Sequence, residues 1–294
     1  MATTASLTDA GRVLLGVSVV AVTAAVVVAA RPPGEARLQR WATRFGLALT
    51  RGNRPVLSAY LRRTQLLRAL GAGLGWLGNP AWIAVRGHEL PHGGNSVALA
   101  IGGYLLGAVV AEATLPRRRS AAGARVASLV PRTLGDYLPP VSVSALRLLP
   151  FAAVALTVLY AVLARHPRIP LDYGVAFMVV LAGALVVFAA AVEAVLRWIV
   201  TRPQPLTAPD LLAADDAVRA GSIHALAGAA LAMLLSGAGW VAMEGGTIAA
   251  AGAVRGVLFC LGLALMVAAA MSGLGLARPR SWRVGRRVPL EAGR

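Results

Sequence analysis

Long apolar runs dominate this chain, and the segments between them are alternately rich in arginine and nearly free of it. A bilayer hydrocarbon core of about 30 Å needs about 20 apolar helical residues to cross it. Six runs reach that length, and a seventh is shorter and contains several glycines and a proline. The seven runs are about 12–30, 69–85, 95–113, 147–164, 173–198, 222–242 and 249–276. The sequence therefore predicts an all-α, polytopic transmembrane helix bundle that forms one membrane domain over residues 1–294.

The distribution of arginine predicts the orientation of the bundle. All 29 basic side chains are arginine, and they concentrate in 31–68, in 114–146 and in the tail 277–294. Cytoplasmic loops of membrane proteins carry such an excess. Because 31–68 and 114–146 must then lie on one side, both 69–85 and 95–113 have to cross. We expect seven spans in a bacterial inner (cell) membrane, with the N-terminus outside, the C-terminus cytoplasmic and 199–221 as the third cytoplasmic loop.

Composition excludes two other classes of protein. With 57% hydrophobic and 14% charged residues, the chain has too little polar surface for a soluble globule. The net charge of +17 suggests nucleic acid, but the arginines flank apolar spans instead of forming a basic stripe with interleaved aromatics. Anionic lipid headgroups at the cytoplasmic face explain the charge more simply.

The cytoplasmic segments are expected to contain helices of their own. Short helices are predicted at 55–68, 140–147 and 209–221, each before a span. Apolar residues alternate with arginine in 31–68, which favours an amphipathic helix lying in the headgroups. Pairs of glycines four residues apart, such as Gly71 with Gly75 and Gly103 with Gly107, allow close packing of helices or a homo-oligomer.

One short motif is typical of zinc metalloproteases. His88, Glu89 and His92 match H-E-x-x-H, in which two histidines on one helical face hold zinc and the glutamate acts as general base. Pro91 lies between the two histidines, where it would break the required helix at a cost of about 3 kcal/mol. We therefore favour an outer turn, and an outward-facing zinc protease remains an alternative.

The most polar stretch, before the sixth span, contains Asp210, Asp215, Asp216 and Arg219. One interpretation is an acidic cytoplasmic site that holds a divalent cation or a basic partner. The other is structural: Asp210 caps a helix after Pro209, and Asp215 or Asp216 pairs with Arg219 one turn on. The spacing does not match the repeated D-x-x-x-D of membrane prenyltransferases, so the structural interpretation is favoured.

Two carboxylates lie inside predicted spans, Glu112 near the inner end of the third and Glu193 in the fifth. An ionised side chain at the bilayer centre costs about 2.5–3.5 kcal/mol, so such residues usually face a partner or a cavity. Arg197 is four residues from Glu193, and Arg147 is the expected partner of Glu112. Proton- or cation-coupled transport is one hypothesis. Inter-helix ion pairing is the other, and it is favoured because neither glutamate is central.

Two loop stretches carry a resemblance to other proteins. They read PRTLGDYLP at 131–139, and RPQP at 202–205 followed by DLLAADDAVR at 210–219. These stretches resemble uncharacterised polytopic membrane proteins of high-GC Gram-positive (actinobacterial) bacteria, some of which are associated with transporter-like gene neighbourhoods. The resemblance implies a membrane bundle and no particular activity, ligand or catalytic residue.

These observations predict that the chain is a non-enzymatic, transport-associated or envelope-organising membrane component. Its arginine-rich inner loops are expected to contact anionic lipid, another membrane protein or a cytoplasmic partner, and no cofactor is expected. The alternatives are an autonomous ion-coupled transporter using Glu112 and Glu193, and the zinc protease described above.

Overall fold

The computed structural model describes residues 4–86, 96–114, 132–165, 174–202, 209–249 and 252–276, and these contain helices and no strand. A short 3₁₀ turn covers Leu134–Asp136. The α-helices are α1 (Thr4–Ala30), α2 (Glu35–Arg44), α3 (Arg54–Arg86), α4 (Ser96–Ala113), α5 (Pro140–Leu163), α6 (Val175–Thr201), α7 (Pro209–Ile248) and α8 (Gly252–Leu276).

Several of these helices are suited to a bilayer. Five stretches in the described residues are long and apolar enough to cross a membrane: Gly11–Ala30, Pro140–Leu163, Val175–Thr201, Asp210–Ile248 and Gly252–Ser272. A shorter apolar helical stretch covers Leu99–Ala113. In the residues that the structure describes, the chain is therefore all-helical, and its long apolar helices indicate a membrane protein. Segment 69–85, the weakest of the predicted spans, is part of α3 and is not among the five.

The helices predicted before three of the spans are present, but they are not separate. Segment 55–68 is the first half of α3, 140–147 begins α5, and 209–221 begins α7. α7 has 40 residues and is therefore about 60 Å long, twice the thickness of the hydrocarbon core. Because no proline or glycine pair interrupts 209–221, the chain continues from the polar stretch into the span as one helix.

α7 is the central helix of the bundle. It packs against α3, α4, α5, α6 and α8, and more than half of its apolar stretch is buried. Its many alanines, glycines and serines let neighbouring helices approach closely. α1 packs against α3 at the periphery, and its apolar face is left exposed for lipid.

The glycines of α3 and α4 bring these two helices into backbone contact, as their spacing predicts. A Cβ atom built on Gly71 would lie 2.1 Å from the carbonyl oxygen of Gly103, and one on Gly75 would lie 2.0 Å from that of Leu99. On the α4 side, a Cβ at Gly107 would lie 2.1 Å from the carbonyl oxygen of Leu67. No larger residue fits at these positions without moving a helix backbone.

α2 is the amphipathic helix predicted within 31–68. It ends at Arg44, and Gly46 just beyond the helix has a φ of +64°, the left-handed conformation that glycine adopts readily. Its apolar face does not rest on acyl chains. Leu38 packs with Leu57 of α3 and with Ala214 and Val218 of α7 in one buried cluster. The protein itself therefore covers this face, and α2 is fixed to the first turns of α3 and α7.

Candidate functional site: a buried ion-pair network

A polar network joins several helices at the end of the bundle that carries α2, which we call the α2 end. Glu112 comes from the last turn of α4, Tyr60 from α3 and Ser222 from α7. Arg202 follows the last residue of α6. Because helices α4 and α6 end here and α3 and α7 begin near here, the topology brings these side chains together from distant parts of the sequence.

Glu112 is the most deeply buried carboxylate of the network, with 1% of its surface exposed. Ser222 donates a hydrogen bond to Oε1 of Glu112. The Tyr60 hydroxyl lies 2.6 Å from Ser222 Oγ and so extends a chain of hydroxyl groups to the carboxylate. Arg202 Nη1 lies 3.6 Å from Oε2 of Glu112, which is an ion pair without a hydrogen bond.

Asp215 and Arg219 extend the network, because Arg202 Nη2 also lies 3.4 Å from Asp215 Oδ1. Arg219 is fully buried, and its Nε donates to Asp215 Oδ2 at 3.0 Å, the pairing predicted for residues one helical turn apart. Its Nη1 donates to the carbonyl oxygen of Ile199 at 3.0 Å. The last carbonyls of a helix have no partner within that helix. Arg219 therefore supplies the donor that the end of α6 needs and fastens α6 to α7.

Asp216, the alternative partner for Arg219, points elsewhere. Its carboxylate forms an ion pair of 2.8 Å with Arg132, so it ties the segment before α5 to α7. Nearby Tyr137 is buried. Burial raises the pKa of the Tyr137 hydroxyl, and the negative charge of Asp216 raises that pKa further.

Asp210 binds a different part of the chain. Thr50 Oγ1 donates to Asp210 Oδ2 at 2.7 Å, and the backbone N–H of Leu211 donates to Oδ1 at 3.0 Å. Asp210 lies in the first turn of α7, where a carboxylate is favourable. The aspartates at 210, 215 and 216 thus face three different partners and do not converge on a shared cation. Within the described ranges, no three His, Cys, Asp or Glu side chains are grouped so that they can hold a metal ion.

Glu193 is separate from this network and more exposed. Arg197 Nη2 lies 2.7 Å from Glu193 Oε1, as its position one turn away predicts. Arg147 Nη2 lies 2.9 Å from the same oxygen. The expected pairing of Arg147 with Glu112 is therefore wrong, because α5 packs beside α6 and presents Arg147 to Glu193. The space enclosed beside Glu193 and Arg147 is about 10 Å³, at most enough for one water molecule.

Some polar atoms near Glu112 are buried without a hydrogen-bond partner. They are Oε2 of Glu112 itself and Nε and Nη2 of Arg68, whose guanidinium lies 5.7 Å from the ring centre of Tyr104. Sequence reasoning did not connect Tyr60 or Arg68 with Glu112. The position of Arg68 just before a predicted span was the one sign that it needs a partner. Which residues it approaches depends on how α3 and α4 cross, and the sequence alone does not give that.

The H-E-x-x-H residues His88, Glu89 and His92 lie outside the described residues, so the structure does not test the proposed zinc site. Comparison with known proteins adds no relative: no protein family, curated protein or solved structure matches the chain.

Proposed function

We propose that this chain is a non-enzymatic, transport-associated or envelope-organising component of the bacterial cell membrane. In this proposal the bundle has seven spans, its N-terminus is outside, and the α2 end faces the cytoplasm. Each of the seven predicted spans overlaps one long helix. The arginine-rich segments 31–68 and 114–146 connect helices at the α2 end, and so does 199–221.

The observation that carries the proposal is the pairing of charges at the α2 end. Asp215 binds Arg219, Asp216 binds Arg132, and Asp210 binds Thr50. Each of the last two contacts joins α7 to a segment far away in the sequence, and Arg219 also joins α7 to α6. Such a network fixes the geometry of a surface, whereas a catalytic site would leave acid, base or nucleophile free to meet a substrate. A fixed surface rich in arginine suits contact with lipid or with another protein.

Cross-linking in intact cells tests this proposal. A photoreactive amino acid is placed at Arg51, which is exposed at the α2 end, and in a matched variant at Arg165, which is exposed at the opposite end. We expect specific protein or lipid adducts from position 51 that are absent from position 165. Equal labelling from both positions, together with solute flux by the purified protein alone in proteoliposomes, would contradict the proposal.

A second function, ion-coupled transport, is favoured by one observation at Glu112. Its side chain is fully buried while Oε2 lacks a hydrogen bond, as expected for a carboxylate that exchanges partners. Glu193 lacks this feature, since two arginines bind it near the surface. Flux that disappears in Glu112→Gln and persists in Glu193→Gln would support transport. Flux that is unchanged in both variants would exclude coupling through either residue.

A further inference from the structure

Arg68 is a buried cation that forms no ion pair with a carboxylate of the described residues. Its Nε and Nη2 atoms are buried and find no hydrogen-bond acceptor in that part of the chain. The ring centre of Tyr104 lies 5.7 Å from the guanidinium, an attraction that supplies no acceptor for these two N–H groups. Because a buried charge without a partner is costly, the folded protein needs a negative group at this position.

The other arginines of the network beside Arg68 already have carboxylate partners. The pairs are Arg202 with Glu112, Arg219 with Asp215, and Arg132 with Asp216. Within the described residues, these pairs and Arg68 together contain one more arginine than carboxylate. The network therefore holds one excess positive charge, and the pairing assigns that charge to Arg68.

Glu112 acts electrostatically on Arg68, but other groups occupy its two oxygens. Its Oε1 accepts a hydrogen bond from Ser222, and its Oε2 faces Arg202 Nη1 at 3.6 Å. One carboxylate beside two arginines reduces the local positive charge without cancelling it. Complete neutralisation requires a second anion.

The two unpartnered groups of Arg68 lie on one edge of its guanidinium. The N–H of Nε and one N–H of Nη2 point in parallel, which is the arrangement that binds both oxygens of a carboxylate at once. The residues one turn away are buried: Thr64 precedes Arg68 on α3, and Ala108 follows Tyr104 on α4. Since the chain itself covers this edge, a ligand must be a small ion.

We propose that the Nε and Nη2 edge of Arg68 binds a small carboxylate, such as formate or acetate, where α3 and α4 cross. The inference goes beyond the proposed function and does not depend on it, because it follows from the burial and pairing of Arg68. Chloride has the same charge but does not match two parallel donors. A lipid phosphate has matching oxygens but carries a glycerol and two acyl chains, which the covered edge does not admit.

The test measures thermal unfolding of the full-length protein in a neutral detergent. Sodium gluconate is replaced by sodium formate at constant ionic strength, because gluconate has the same charge on a much larger molecule. A ligand that binds the folded state raises the unfolding temperature. Wild type is compared with Arg68→Met, which removes the charge, and with Arg68→Lys, which keeps the charge but loses the parallel donors. Arg51→Gln is the control, since Arg51 is an exposed arginine near the start of the same helix.

We expect formate to raise the unfolding temperature of wild type and Arg51→Gln equally, and to leave that of Arg68→Met unchanged. In gluconate alone, Arg68→Met should unfold at a higher temperature than wild type, because it removes an unpaired buried charge. Arg68→Lys should need at least about ten times more formate to reach half of its increase.

Two results with the methionine variant would overturn the proposal. A variant that is less stable than wild type in gluconate, or that does not fold, would show that Arg68 has its partner within the protein. A formate response equal to that of wild type would place the anion elsewhere.

The ligand assignment has its own controls. No response of wild type to formate would overturn the proposal. An equal response to chloride, or an equal formate requirement in Arg68→Lys, would show binding through charge alone and would overturn the carboxylate assignment. A formate response that disappears when phosphatidylglycerol is added to the micelles would assign the edge to a lipid phosphate, which also refutes the proposal.

Discussion

At the scale of single residues, burial separates two glutamates that look alike in the sequence. Glu112 and Glu193 both lie in apolar helices, yet the side chain of Glu112 is fully buried and that of Glu193 is 28% exposed. Removing one member of a buried ion pair leaves an uncompensated charge, whereas removing one from a surface pair changes little. The same substitution should therefore have different consequences at the two positions.

We expect Glu112→Ala to lower the free energy of unfolding by about 3 kcal/mol, because Arg202 loses a buried counter-charge and Ser222 loses its hydrogen-bond acceptor. Glu193→Ala should lower it by at most about 1 kcal/mol. Unfolding by sodium dodecyl sulfate in mixed micelles measures both values. Equal losses in the two variants would show that the network around Glu112 adds no stability of its own.

Tyr137 should make stability depend on alkaline pH. Burial, followed by the charge of Asp216, raises its pKa in the folded protein. A group with a raised folded-state pKa contributes stability that is fully present below the unfolded value of about 10 and is lost as pH rises through the folded value. The unfolding temperature of wild type should therefore fall more steeply above about pH 10 than that of Tyr137→Phe. Parallel curves for the two proteins would refute this assignment.

At the scale of helices, the crossing of α3 and α4 depends on glycines that touch the opposite backbone. Gly103 is in this contact, while its neighbour Gly102 has open space where a Cβ would lie. The two adjacent residues therefore form a natural pair for testing the crossing. The effect of the new methyl group differs between them, whereas the change in helix propensity is the same.

Gly103→Ala would place a Cβ atom 2.0 Å from the carbonyl oxygen of Gly71, so the helices must separate. We expect a loss of about 1–3 kcal/mol in the free energy of unfolding. Gly102→Ala should be neutral or stabilising by up to about 1 kcal/mol. Detergent unfolding of both variants checks this, and a stable Gly103→Ala protein would show that the crossing is looser than described.

At the scale of the whole molecule, the proposed topology can be tested by cysteine labelling. In a Cys260→Ser background, single cysteines replace Arg51, Leu90 and Arg165. A membrane-impermeant maleimide added to intact cells should label positions 90 and 165, and position 51 should react only after permeabilisation. Protection of position 90 would mean that α3 and α4 do not both cross, which leaves the five spans identified by length and composition.

The sequence predicts the positions of the helices in this bundle better than it predicts which helices pack against each other. Runs of apolar residues locate the long helices, and the i, i+4 spacing correctly pairs Glu193 with Arg197 and Asp215 with Arg219. It assigns Arg147 to the wrong glutamate, because that choice depends on which helices are neighbours. The residues that bury the apolar face of α2 cannot be predicted for the same reason. They belong to α3 and α7, and the sequence does not show that these helices lie beside α2.

The position of the Glu112 contact in the sequence has a consequence for biosynthesis. Ser222, which binds Glu112, lies 110 residues further along the chain. At about 5–20 residues per second, a ribosome needs roughly 5 to 20 seconds to make the intervening segment. During that interval α4 has left the ribosome and its carboxylate has no Ser222 to bind. The nascent chain therefore carries an incompletely paired acid until α7 has been made, so the polar network at this end of the bundle can be completed only late in synthesis.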